Sequence, residues 1–264
     1  VDKEFSKYKE LLHKMVNKGD KIAMGYLGYI YFIENAFDNA FKFTKLGASK
    51  KDMLSCEALY YLHMDDFFCG KVPKKYVDKR KALIYGKQAA ALGHADIANR
   101  MGVIYAEGEI VPKDMTEAIK YYEIAVSYGN TFACNNLASC YRDGNGVEQN
   151  YEKAVELYKK AAEQGYAGAQ NELGVLLFRG DGVEQDYNLA LHWFELAASN
   201  GNEVAKENVD ETRRKINESS RILSDSDLEE LKKNDEAMKK NMQKIGRELN
   251  DEISSTTDEL RTDG

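Results

Sequence analysis

Histidine, cysteine and paired carboxylates are the residues from which a hydrolytic or metal site would be assembled, and in this 264-residue chain they do not converge. The four histidines, His13, His63, His94 and His192, lack the spacing that sets two imidazoles on one helical face around a metal ion. The densest cluster is His-Met-Asp-Asp at His63–Asp66. Neighbouring side chains on a helix point in different directions, so this run makes no acid–base pair and no ligand set. The runs Asp-Gly-Asn-Gly-Val (143–147) and Gly-Asp-Gly-Val (180–183) could cradle a phosphate, but no Lys-Ser or Lys-Thr follows and the preceding element is helical. They read as turns between helices. No catalytic residue, metal ligand or cofactor is expected, and the chain is not expected to be an enzyme.

Cys134 and Cys140 are six apart, about 240° around a helix axis, and cannot pair with each other. Cys56 and Cys69 could close a loop, but packing is the expected use of all four, which points to a reducing compartment. A net charge of -7 disfavours nucleic acid and anionic lipid as partners, since both attract clustered Lys and Arg. No apolar run reaches the length of a membrane span. A cytoplasmic location is expected, with periplasmic or secreted alternatives open because the chain begins at Val1 and a leader could have been removed.

The elements that would position any site come from an internal repeat. Gly93, Gly129, Gly165 and Gly201 stand 36 residues apart, in register with Ala82, Ala118, Ala154 and Ala190 and with Asp78, Asp114, Asn150 and Asp186. Such a period is the mark of a solenoid, whose units bury their apolar faces only by stacking. Within one unit, Ala169, Leu173, Gly174 and Leu177 recur at helical spacing, a loop follows, and Ala190, Phe194, Ala197 and Ala198 resume the rhythm. Asp186 is placed to cap the second helix and Gly201 to end it. Two prolines, Pro73 and Pro112, interrupt little, so the fold class is all-α.

The pattern Ala-x-x-x-Leu-Gly-x-x-Tyr, then Gly-x-Gly-Val, an acidic cap and Ala-x-x-x-Tyr-x-x-Ala-Ala, resembles the Sel-one-like repeat, a relative of the tetratricopeptide repeat. The match is dense from Asp78 to Gly201. The resemblance implies a right-handed α-solenoid of antiparallel helix pairs that contacts other proteins. The expected divisions are a capping helix at 1–18, a solenoid of about five units at 19–201, a closing helix at 202–218, an amphipathic helical tail at 219–254 and a flexible terminus at 255–264. The first unit, with Gly19, Ala23, Leu27, Gly28 and Tyr31, reaches Gly47 without a Gly-x-Gly loop. The next runs 46 residues to Gly93, and its surplus fits either a longer helix or an extended loop. Ser226 and Glu229 signal a new helix start, and Leu228, Leu231, Met238, Met242, Ile245 and Leu249 form an a/d stripe interrupted by Asp235. That helix could fold back on the solenoid, pair two copies into a homodimer, or fill the groove.

In the arrangement the resemblance implies, the first helix of each pair lines the concave side. Two residues before the signature Leu stand Asn99, Asn135 and Asn171, one per unit. An amide can donate to a backbone carbonyl and accept from a backbone N–H, so such a row could hold an extended peptide. Beside it lie Val103, Ser139 and Val175, then Glu107, Asp143 and Arg179, with Ala106, Arg142 and Phe178; Phe132 and Asp96 are one turn earlier. The expected function is protein or peptide binding in this groove as adaptor, scaffold or regulatory subunit. An inhibitor or immunity-type protein that blocks an enzyme is the second reading, and a hydrolase with an unrecognised site the third.

Overall fold

The computed structural model describes residues 2–64, 72–222 and 229–244. Among the described residues the chain is helical and contains no strand. It divides into two compact units, Val1–Asn208 and Val209–Gly264.

The first unit is a stack of antiparallel helix pairs preceded by α1 (Asp2–Asn17). The pairs are α2 (Lys21–Ile33) with α3 (Phe37–Ser49), α4 (Met53–Met64) with α5 (Lys79–Ala91), α6 (Ala95–Glu107) with α7 (Met115–Ser127), α8 (Thr131–Asp143) with α9 (Tyr151–Glu163), and α10 (Ala167–Arg179) with α11 (Tyr187–Ser199). From α5 to α11 every helix is 13 residues long, about 20 Å, so successive layers present the same number of turns to one another. The small residues sit at the contacts: Ala118, Ala154, Ala161, Ala190 and Ala197 are fully buried, and Tyr158 and Phe194 fill the space they leave.

Asp78, Asp114, Asn150 and Asp186 each cap a second helix through a side-chain oxygen, as their register predicts. Their own N–H groups donate to the carbonyls of His63, Tyr105, Tyr141 and Leu177 at 3.0, 2.8, 2.8 and 3.0 Å, so one hydrogen bond closes all four inter-helix loops. In the last loop Gly182 has φ +71° and a Cβ there would lie 2.4 Å from Tyr151 Cβ; position and conformation both require glycine.

The N-terminal pair departs from the expectation. Gly47 does not end α3; it is buried inside that helix, and a Cβ there would sit 2.0 Å from Ser55 Oγ, so glycine serves the close approach of α4. The left-handed stop falls instead on Lys51, at φ +57°. In the next unit α4 is described as far as Met64, and much of the surplus lies outside the described residues. Its described part returns along α3: Tyr76 stacks on Phe41 at 4.1 Å and Lys75 pairs with Asp38 at 3.1 Å. Asp65, Asp66 and Cys69 lie outside the described residues. Cys56, Cys134 and Cys140 are free thiols in the core, and burial pushes the Cys56 thiol up to about 11.

The closing helix α12 (Glu203–Ile222) starts in the first unit, capped by Asn202, which accepts from Ala205 N–H at 3.1 Å. It continues past the expected end at 218, since no Gly or Pro interrupts it and Ser219 bonds its hydroxyl back to the Lys215 carbonyl. In the second unit residues 229–244 are helical, with Leu231 and Met242 exposed; Ser226, Leu228, Ile245, Leu249 and the terminus lie outside the described residues.

Candidate functional site

The first helices α6, α8 and α10 carry the three asparagines at equivalent positions, and the structure assigns them a task the sequence reading missed. Asn136 Nδ2 donates to Asn99 Oδ1 at 3.0 Å, and Asn208 Nδ2 donates to Asn171 Oδ1 at 2.8 Å. Asn99 and Asn171 therefore each accept a hydrogen bond from the segment 37 residues further on. Asn171 is buried at 7% exposure, and Asn99 and Asn135 are half-buried. One acceptor position on the oxygens of Asn99 and of Asn171 is used within the protein, and Asn135 Oδ1 is buried. What Asn99 and Asn171 leave open is Nδ2, a donor, which has no partner among the described residues.

The donors Asn136 and Asn208 belong to a second row, 100, 136, 172 and 208, also spaced by 36. That spacing was visible in the sequence; that the row reaches back one repeat was not. At position 172 the row holds glutamate, which has no N–H to give, and Asn135 Oδ1 is left buried without a partner. Glu172 Oε2 instead accepts from Arg142 Nη1, and Arg142 also grips Asp143 through Nε and Nη2 at 2.7 and 3.0 Å. The Asp143 hydrogen bonds hold the guanidinium charged, and the guanidinium keeps the Asp143 carboxyl below the usual carboxylate range.

Around these side chains lies a cleft of about 310 Å³ lined by Asn135, Ser139, Arg142, Gly168, Asn171, Glu172, Asn202 and Val204. Ser139 lies 2.8 Å from the Tyr158 hydroxyl, which burial pushes up to about 12. Of the other expected groove residues, Val103, Val175 and Phe178 are half-buried, while Glu107, Asp143, Arg179 and Phe132 are exposed. Two of the aromatics are already engaged: Phe132 packs edge-on against Tyr166 and Phe178 leans on Tyr187, each at 5.1 Å. Among the described residues no cluster of His, Cys, Asp and Glu could hold a metal, and no helix is long and apolar enough to cross a membrane.

The model of the Sel1 repeat matches four times, at residues 56–94, 95–130, 131–166 and 167–202. The pair α2–α3 lies outside the matched range. None of the curated proteins matches the chain. Among solved structures, c5321, a protective antigen present in uropathogenic Escherichia coli strains and displaying an SLR fold, is 30% identical with a TM-score of 0.64; the alignment covers 76% of this chain but only 43% of that one. A Sel1 repeat protein from Oxalobacter formigenes is 23% identical with a TM-score of 0.61, covering 78% of this chain and 82% of its own, a likeness of fold. Since the four repeats span residues 56–202, more than half of the chain, the protein belongs to the Sel1 repeat family, whose members are typically non-enzymatic and mediate contacts between proteins.

Proposed function

We propose that this chain is a non-enzymatic adaptor, scaffold or regulatory subunit that holds a segment of a partner polypeptide along the face made by α6, α8 and α10. The observation that carries this reading is the orientation of Asn99 and Asn171, whose oxygens accept from the neighbouring repeat and whose Nδ2 groups have no partner among the described residues. A pre-oriented amide loses little freedom on binding, and its N–H groups match the carbonyl oxygens that every polypeptide backbone offers. Val103 and Val175, half-buried beside the row, supply apolar contact, and Arg179 and Glu107 border it with charge. Membership of a protein-binding repeat family supports the same reading.

The double substitution Asn99→Asp and Asn171→Asp tests it, because a carboxylate keeps the oxygen that each rung needs and removes the outward donor. Proteins captured from native lysate by the wild type and identified by mass spectrometry are expected to be lost from the variant while its helical content and melting point stay close to wild type. Retention of the same partner at the same affinity would remove the asparagine row from the function.

A further inference from the structure

The outer face of α2 differs from that of the later first helices. Beyond Lys21 its exposed side chains are Ile22, Tyr26, Tyr29 and Ile33, at 55, 47, 45 and 60% exposure. Steps of four, three and four residues set them on one side of the helix as a stripe about 17 Å long, and no charged residue occurs from 22 to 33. At the same register α6 carries Asp96, Arg100, Val103 and Glu107, three of them charged. α2 gives the core a different set, Ala23, Met24, Leu27, Ile30 and Phe32, so the stripe is surplus to packing. Phe132 and Phe178 lean on neighbouring rings, whereas Tyr26 and Tyr29 make no ring contact or hydrogen bond among the described residues. An apolar face left open over three turns, with two tyrosines at its centre, has the composition of a binding hot spot.

Charge identifies the occupant. Residues 1–92 hold 17 Lys and Arg against 11 Asp and Glu, a balance of +6 in a chain whose total is -7. Lys18, Lys21, Lys50 and Lys51 stand exposed where α2 and α4 begin, and none of them makes an ion pair among the described residues. Lys50 Nζ donates to the Gly19 carbonyl at 3.0 Å, which holds one ammonium beside the start of α2. The two carboxylates at this end serve as helix caps: Asp20 accepts from Ile22 and Ala23, and Asp52 from Ser55 N–H at 2.8 Å. At the other end Glu34 is paired with Lys9. We infer that the α2 face docks an acidic amphipathic helix of another polypeptide, whose apolar side chains lie along Tyr26 and Tyr29 and whose carboxylates lie over the lysines. An anionic bilayer offers the same two chemistries, but Asp96, Glu107 and Asp143 stand further along the first-helix face, where a broad anionic surface would meet them and a short helix over α2 would not. This surface is separate from the asparagine row and does not depend on the function proposed for that row.

The test uses the full chain and three fluorescein-labelled helical peptides of equal length. One has a leucine stripe with glutamate elsewhere, one the same stripe with lysine, and one has glutamine in place of the leucines of the first. Fluorescence anisotropy should show saturable binding of the glutamate peptide, with the other two weaker by about tenfold or more. Tyr26→Gln combined with Tyr29→Gln should weaken that binding by about tenfold, and Lys18→Glu combined with Lys21→Glu by about fivefold with a shallower salt dependence. Both variants should melt close to wild type, because all four side chains are exposed. Asn99→Asp with Asn171→Asp should bind the glutamate peptide as wild type does. No saturable binding, equal binding of the lysine peptide, unchanged affinity in either α2 variant, or loss of binding in the asparagine variant would overturn the docking face. Dimerisation abolished by the tyrosine substitutions would overturn it in favour of a second copy of this chain, and flotation with phosphatidylglycerol vesicles abolished by them would overturn it in favour of a membrane. Failure of the glutamate peptide alongside loss of a captured partner in the asparagine variant would remove this face and leave the function proposed above standing.

Discussion

Asn136 and Asn99 are 37 residues apart in sequence and 3.0 Å apart in space, joined by an amide hydrogen bond that Asn208 repeats with Asn171. The bond ties one first helix to the next along the face proposed above for the partner. Stability and presentation of the site are therefore coupled: the contact that locks the layers together also decides which end of each asparagine points outward.

Asn136→Ala is expected to cost about 1–2 kcal/mol, because it removes the donor and leaves the Asn99 oxygen to be satisfied by water in a half-buried setting. Pairing it with Asn99→Ala should recover part of that loss. Urea unfolding followed by circular dichroism, arranged as a double-mutant cycle, measures the coupling; purely additive losses would show that the rung contributes nothing of its own.

Gly182→Ala and Gly165→Ala separate backbone strain from steric conflict. Both glycines have positive φ, +71° and +86°, but a Cβ at Gly165 meets nothing within 4 Å, whereas one at Gly182 runs into Tyr151. The first substitution should therefore cost roughly 1 kcal/mol or more beyond the second, which bears only the left-handed penalty of about 1–2 kcal/mol. Thermal melts of the two variants rank them directly.

Two histidines should give opposite pH dependences. Burial lowers the affinity of His63 for a proton, so the unfolded chain binds it more readily and His63 destabilises the fold as pH falls below the ordinary value of about 6.5. His94 is raised, mainly by its hydrogen bond to Glu57, with Nε2 at 3.2 Å; its contribution is fully present below about 6.5 and is lost as pH rises through its raised value. Melting curves between pH 5 and 8 should rise less steeply with pH in His63→Gln than in wild type, and His94→Gln should lose stability chiefly at the acid end. Parallel curves for all three proteins would remove both assignments.

Cys56, Cys134 and Cys140 should resist labelling by Ellman's reagent at pH 8 in the native protein and react on addition of denaturant, because all three are buried and burial raises each thiol above its ordinary value. Peptide mapping of the labelled protein assigns the reaction to individual residues.

The 36-residue register by itself determined the helix pairs, their caps at Asp78, Asp114, Asn150 and Asp186, and the family, because capping and helical periodicity depend on residues close together in the chain. It also placed the asparagine row on one set of helices. Only the tertiary structure decided that Gly47 serves helix packing while Lys51 makes the turn, and that Asn99 and Asn171 spend their oxygens on the next repeat. Those outcomes depend on which side chains meet across layers, and a residue's type and position in its own helix do not specify the neighbour that arrives from 37 residues away.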